Sequence, residues 1–67
     1  MNEYVVVRYL HATGTPAPDG PFEHDRDLAL SRARVLSEQH PEDWVRVETK
    51  TEVVASFFKG REVGLYL

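Results

Sequence analysis

Histidine is the residue type most often used for acid–base chemistry and metal binding, and this chain contains three. No two of them have metal-ligand spacing, such as positions i and i+4 of one helix. His24 stands between two carboxylates in Glu23-His24-Asp25, an arrangement that could orient a general base or hold a metal ion weakly. The run is more typical of a hydrated loop followed by a helix cap, and we adopt that interpretation.

Other catalytic motifs are missing from the sequence. The chain has no cysteine, which excludes a thiolate nucleophile, a cysteine-ligated zinc and a disulfide framework. The glycines stand far apart, at positions 14, 20, 60 and 64, so none belongs to a phosphate-binding or dinucleotide-binding loop. The sequence therefore predicts a non-catalytic protein with no cofactor and no metal.

Size and composition limit the domain that must position any site. A chain of 67 residues allows one domain over residues 1–67. Its core is small and contributes little stability, which favours self-association or binding to a partner. The formal net charge of −3 argues against duplex binding, which needs clustered Lys and Arg. Residues 4–7 form the longest apolar run, far too short for a bilayer, and no signal-peptide pattern precedes it, so we expect a cytoplasmic protein.

The N-terminal third contains a predicted strand followed by a segment rich in proline and glycine. Residues 3–11 are rich in β-branched and aromatic side chains, at odd and even positions alike. This predicts a central strand that is at least partly covered on both faces. Residues 13–21 contain three prolines and two glycines, a composition that disfavours helix and sheet. We therefore predict a surface loop over residues 12–24.

The middle of the chain predicts the single helix, from Asp25 to His40. Asp25 is suited to the N-cap position, and Pro41 disfavours helical geometry at the residue before it. One stripe faces the sheet at helical spacing and consists of Ala29, Ala33, Leu36 and His40. Leu28 and Val35 lie two turns apart on a different side of the helix. They make its apolar surface wider than the part that a small sheet can cover.

Strict alternation begins at Trp44 and predicts strands. The odd positions from Val45 to Phe57 belong against the helix. A three-residue loop at 50–52 gives a hairpin that opposes Val45 to Phe57, while one long bent strand shared across a dimer remains open as the alternative. Lys59-Gly60 predicts a turn into a short last strand through Val63, Leu65 and Leu67.

These elements define an α+β fold. The predicted order is β-α-β-β with a possible further strand, and one helix packs on a three- to four-stranded, mainly antiparallel sheet. Many unrelated small modules share this order, so the fold alone does not give a function.

The side of the sheet away from the helix carries the most informative feature. Apolar residues occupy even positions there, where water would otherwise reach them: Trp44, Val54, Phe58 and Tyr66. Exposed apolar patches usually mark interfaces, and Trp and Tyr are enriched at binding hot spots. We therefore predict a protein-interaction module, a homodimer or a subunit docking on a larger protein, which binds through this open face or an exposed strand edge. Leu28 and Val35 are further interface candidates. The alternative is that the long loop or the C-terminal tail covers this side.

A second function class is single-stranded nucleic-acid binding. Sheet aromatics could stack bases, and the helix supplies Arg26, Arg32 and Arg34. Acidic residues share the helix surface with these arginines, which is typical of a solvated face. Nucleic-acid binding is therefore the less favoured interpretation.

Overall fold

A computed structural model of the chain describes residues 3–64. Within these residues one helix packs on a five-stranded antiparallel sheet. The elements in chain order are β1 (Tyr4–Tyr9), β2 (Pro16–Glu23), α1 (Arg26–Gln39), β3 (Trp44–Glu48), β4 (Val53–Phe58) and β5 (Arg61–Val63). The sheet order is β2-β1-β3-β4-β5, so β1 and β3 are central. The predicted α+β class is confirmed, with one strand more than the upper prediction.

The additional strand lies where the sequence predicted a loop. Pro16–Glu23 forms edge strand β2, paired with β1, so the prediction of an irregular loop over residues 12–24 is wrong for these residues. The Leu10 N–H donates to the Thr15 carbonyl, and in this register the nitrogens of Pro16 and Pro18 point to the free edge. A proline at such a position gives up no ladder hydrogen bond, so a proline-rich segment can pair as an edge strand.

The helix matches its prediction closely. It spans Arg26–Gln39, and the Asp25 carboxylate caps it by accepting hydrogen bonds from the N–H groups of Asp27 and Leu28. Its buried residues are Ala29, Ala33, Leu36 and Ser37. The two alanines bring the helix close to the sheet, where the largest fully buried side chain is that of Phe57.

The β3–β4 hairpin has the predicted register, with Val45 opposite Phe57 and Val47 opposite Ala55. The turn is one residue tighter than predicted, because the Thr49 N–H donates to the Glu52 carbonyl. A β-bulge takes up the difference, and Glu48 therefore pairs with Val53. The long bent strand left open by the sequence does not form.

The β4–β5 hairpin is attached to the helix. Lys59 and Gly60 both have positive φ angles, 55° and 80°, which fits the two-residue turn typical of tight hairpins. The Gly60 N–H donates to the hydroxyl of buried Ser37 at 2.9 Å, and that hydroxyl donates to the Arg34 carbonyl at 2.8 Å. Ser37 thereby fixes this hairpin to the last turns of the helix. Leu65 and Leu67 lie outside the described residues.

The pairing divides the sheet into two faces. The covered face lies under the helix and supplies Tyr4, Val6, Val45, Val47, Ala55 and Phe57 to the core. The open face lies on the other side and includes Val5, Val7, Tyr9, Pro16, Pro18, Trp44, Arg46, Glu48 and Phe58. The second set contains the candidate site.

Candidate functional site

The open face contains an apolar groove along β1 and β2. Its floor is formed by Val5 and Val7 of β1, and Val7 is only 5% exposed. Pro16 and Pro18 of β2 flank the floor because they pair with Tyr9 and Val7 across the strands. The cavity volume is about 480 Å³, within the range of roughly 300–1,000 Å³ found for ligand sites.

A bulge in β2 builds the outer wall of the groove. Tyr4 pairs with Glu23 and Val6 with Asp19, so Gly20, Pro21 and Phe22 arch away from the strand. Gly20 has a φ of 75°, a conformation that favours glycine, and a Cβ there would lie 2.7 Å from the Arg32 guanidinium. The sequence therefore places glycine at the one position where the arch meets the helix.

Arg32 of the helix holds the base of this arch. Its guanidinium donates to the Asp19 carbonyl at 2.9 Å and lies 3.6 Å from the Asp19 carboxylate. β-Bulges at sheet edges commonly redirect side chains toward a functional surface. Here the bulge places Phe22 on the groove wall with 58% of its surface exposed.

The inner wall of the groove is polar. The Tyr9 hydroxyl donates to the Glu48 carboxylate, and both residues line the groove. This hydrogen bond, reinforced by burial and by the negative charge of Glu48, raises the pKa of Tyr9 above its ordinary value of 10.0. The neutral, donating form of Tyr9 is therefore the stable one at neutral pH, and it orients Glu48 toward the groove.

The rest of the open face is covered by its own side chains. The Arg46 guanidinium lies 4.9 Å from the centroid of the Tyr9 ring. Trp44 stacks on Phe58 with ring centroids 5.0 Å apart, and the Lys59 ammonium lies 5.5 Å from the Phe58 centroid. Aromatic pairs and cation–π contacts of this kind each contribute about 0.5–1.5 kcal/mol. The contact with Arg46 supports Tyr9 at the border of the groove, and the other contacts cover the surface beyond it.

The structure separates the predicted interface residues. Trp44 and Phe58 lie together on the open face as cross-strand neighbours, which agrees with the alternation. Val54 does not join them: the bulge opposite Glu48 breaks the alternation, and Val54 packs against the covered-face core instead. Tyr66 lies outside the described residues. Leu28 and Val35 are on the outer surface of the helix, 49% and 50% exposed.

The histidines are not gathered into one site. His11 follows β1, His24 precedes the helix cap, and His40 is the C-cap residue. Across residues 3–64, no group of three His, Cys, Asp or Glu side chains is placed to hold a metal ion. Within the same range, no helix has the length and apolar character needed to cross a membrane.

Sequence reasoning missed the groove itself. Its members Val5, Val7 and Tyr9 belong to a strand predicted to be at least partly covered on both faces. Its members Pro16, Pro18 and Phe22 belong to the segment predicted as a loop. A signal was present in the spacing of Pro16 and Pro18, because two prolines two residues apart can face the free edge of one strand.

Comparison with known proteins adds no assignment. No protein-family model matches the chain, and no curated protein and no solved structure matches it either. Any functional conclusion must therefore come from the structure itself.

Proposed function

We propose that this chain is a non-catalytic protein-interaction module that docks a partner protein, or a second copy of itself, on the open face of its sheet. The observation that carries the proposal is the groove beside Phe22. An apolar floor, an exposed aromatic wall and a single oriented carboxylate are characteristic of a binding surface rather than of a solvated one.

The sheet edges are weaker candidates for docking than the open face. Prolines at positions 16 and 18 remove two N–H donors from the free edge of β2, a common protection against strand addition. β5, at the other end of the sheet, is only three residues long. Partner binding by strand addition would find few backbone groups to pair with on either side.

Two observations favour a protein over single-stranded nucleic acid. Base stacking usually needs several accessible aromatic faces. Here Phe22 is largely exposed, whereas Trp44 and Phe58 stack on each other and Arg46 lies over Tyr9. The arginines first considered for this role are on the helix side, where Arg32 binds Asp19 and Arg34 lies 5.6 Å from the Phe57 centroid. A nucleic-acid strand would have to displace these contacts.

Site-specific photocrosslinking tests the proposal in cells that naturally contain the protein. p-Benzoylphenylalanine replaces Phe22 on the open face or, as the matched position on the helix, Leu28. Both side chains are about half exposed, so the two variants differ mainly in which surface they probe. We expect a discrete protein adduct from position 22 and none from position 28.

The mass of the adduct distinguishes the two kinds of partner. An adduct of twice the chain mass indicates a second copy, and a heavier adduct indicates a different protein. Adducts from position 28 alone would move the docking surface to the Leu28 and Val35 strip and contradict the proposal. Adducts sensitive to nuclease would instead support nucleic-acid binding.

A further inference from the structure

We propose that the groove binds an extended partner segment in which apolar side chains flank one arginine or lysine, and that this cation pairs with Glu48. This inference rests on the proposed function and specifies the chemistry of the partner. It follows from the shape of the groove, from the composition of its walls and from the position of its charge.

The dimensions of the groove favour a short extended segment. The groove extends along β1 from Val5, on its floor, to Tyr9, on its inner wall. This is about 13 Å at roughly 3.3 Å per residue, which matches about four extended residues. A cavity of about 480 Å³ accommodates a few side chains and not a folded domain. Proline and aromatic walls are also typical of grooves that bind extended peptides, because such rigid side chains lose little entropy on binding.

The apolar part of the segment is specified by the floor and the outer wall. Val5 and Val7 present only methyl groups, and Phe22 presents a ring more than half exposed. Covering these surfaces removes apolar area from water, which stabilises the complex. A purely polar segment would gain nothing from this part of the groove.

The charge of the segment is specified by Glu48. Among the described residues that line the groove, Glu48 is the one charged side chain. A carboxylate offers about four acceptor positions, and the hydrogen bond from Tyr9 uses one of them while holding the group in place. Arg46 lies against the Tyr9 ring and interacts with the Tyr9 hydroxyl, but it does not line the groove. Within the groove, Glu48 is therefore the charged group that an incoming cation contacts.

The charge of the whole chain acts in the same direction. A formal net charge of −3 favours the approach of a basic segment over an acidic one at long range. The negative net charge repels nucleic acid and acidic peptides, and this adds to the preference for basic segments that Glu48 provides.

The test is a selection from a display library of random octapeptides, carried out on the full chain. We expect the wild-type protein to enrich peptides that place Arg or Lys next to apolar residues. Glu48→Lys should exchange this preference for Asp or Glu, because the charge of the inner wall is reversed. The matched control is Glu52→Lys, the same charge change at an exposed position in the β3–β4 turn, and it should leave the wild-type preference intact.

A milder variant protects the test against misfolding. Glu48→Gln keeps the size of the side chain, and we expect it to weaken binding of a selected basic peptide about fivefold, the upper end for a solvent-accessible ion pair. Chemical-shift changes in the amides of β1 and β2 on titration of that peptide would locate it in the groove.

Three results would overturn the inference. They are an enriched set without a basic residue, a basic preference unchanged in Glu48→Lys, and a peptide that shifts amides outside the groove. If the library yields no binder while position 22 still forms a protein adduct in cells, the open face remains the docking surface and only the peptide occupant is wrong.

Discussion

The two faces of this sheet are built from alternate residues of the same strands, yet they are covered in different ways. On the covered face, another element closes the surface: Ala29 and Ala33 of the helix lie against Val45 and Val47, and all four are 0% exposed. On the open face no second layer exists among the described residues, and side chains of the sheet cover one another in pairs, Arg46 on Tyr9 and Trp44 on Phe58.

The difference shows how a domain with a single helix limits exposed apolar surface and still retains a binding site. On the covered face, small and branched residues pack closely between the helix and strands β1, β3 and β4. Pairing by long side chains covers β3, β4 and the Tyr9 end of β1 on the open face. It does not extend to Val5 of β1 or to β2, and the groove remains there. The site is therefore the part of the open face where side chains of the sheet do not pack over one another.

The largest effect should come from the covered face. We expect Phe57→Ala to lower the free energy of unfolding by about 3–5 kcal/mol, because the residue is 1% exposed and its removal leaves a cavity. A domain of this size has about that much stability in total, so the variant should be largely unfolded in urea denaturation experiments. A loss below about 1.5 kcal/mol would mean that the covered face is not the core.

The attachment of the β4–β5 hairpin to the helix should come next. Ser37→Ala removes the acceptor of the Gly60 N–H, and an unsatisfied buried donor costs about 1–3 kcal/mol. The matched control is Ser31→Ala on the exposed side of the same helix, which should change stability by less than about 0.5 kcal/mol. Equal effects of the two substitutions in urea denaturation would contradict the role assigned to Ser37.

Trp44 tests the open face directly. We expect Trp44→Ala to lower the free energy of unfolding by about 1.5 kcal/mol, less than Phe57→Ala, because Trp44 is half-buried and loses mainly its contact with Phe58. If the face associates with a second copy, the same substitution should weaken association by about 2 kcal/mol or more. Denaturation at several protein concentrations separates the two effects, since only association depends on concentration. A loss as large as that of Phe57→Ala would place Trp44 in the core.

The contrast between the faces also explains which features the sequence could predict. The helix and its Asp25 cap depend on local signals, a capping residue and a proline after the last turn. The pairing of Val45 with Phe57 followed from the alternation together with the repulsion that the neighbouring register would create between Glu48 and Glu52. These features agree with the structure because the covered face imposes one strict period on each element.

The features that the sequence did not predict lie where the regular alternation of a strand is interrupted. β2 was read as a loop because proline disfavours strands in general, although it is tolerated where its nitrogen faces a free edge. Val54 was placed on the open face because a bulge leaves no mark in the alternation of residues 53–58. Both irregularities arise from pairing between strands, which cannot be predicted from the residues of one strand alone. The irregularity in β2 forms a wall of the groove.

Acid titration should report on the rim of the covered face. Asp43 accepts the His11 N–H at 2.7 Å and the Arg8 guanidinium at 2.7 Å, and these bonds, the first being the stronger influence, hold the pKa of Asp43 below its ordinary value of 3.8. Its stabilising contribution is therefore present above about pH 4 and is lost as the pH falls through the folded-state value. We expect Asp43→Asn to be less stable than the wild type at neutral pH, with the difference shrinking toward pH 2 in urea denaturation. A Glu42→Gln control at the exposed neighbouring residue should show no such convergence.

Alkaline titration should give the smallest effect and should report on the open face. The pKa of Tyr9 is raised above 10.0, chiefly because its hydroxyl donates to Glu48, so the stabilisation from this pair is present below about pH 10 and is lost as the pH rises through the folded-state value. Absorbance titration of the wild type minus Tyr9→Phe isolates this group from the other tyrosines, and Glu48→Ala should move the Tyr9 pKa back toward its ordinary value. A Tyr9 that titrates at 10.0 in the wild type would mean that the Tyr9–Glu48 bond does not persist in solution. The inner wall of the groove would then be unordered before a partner arrives, and the open face would differ from the covered face in rigidity as well as in how it is covered.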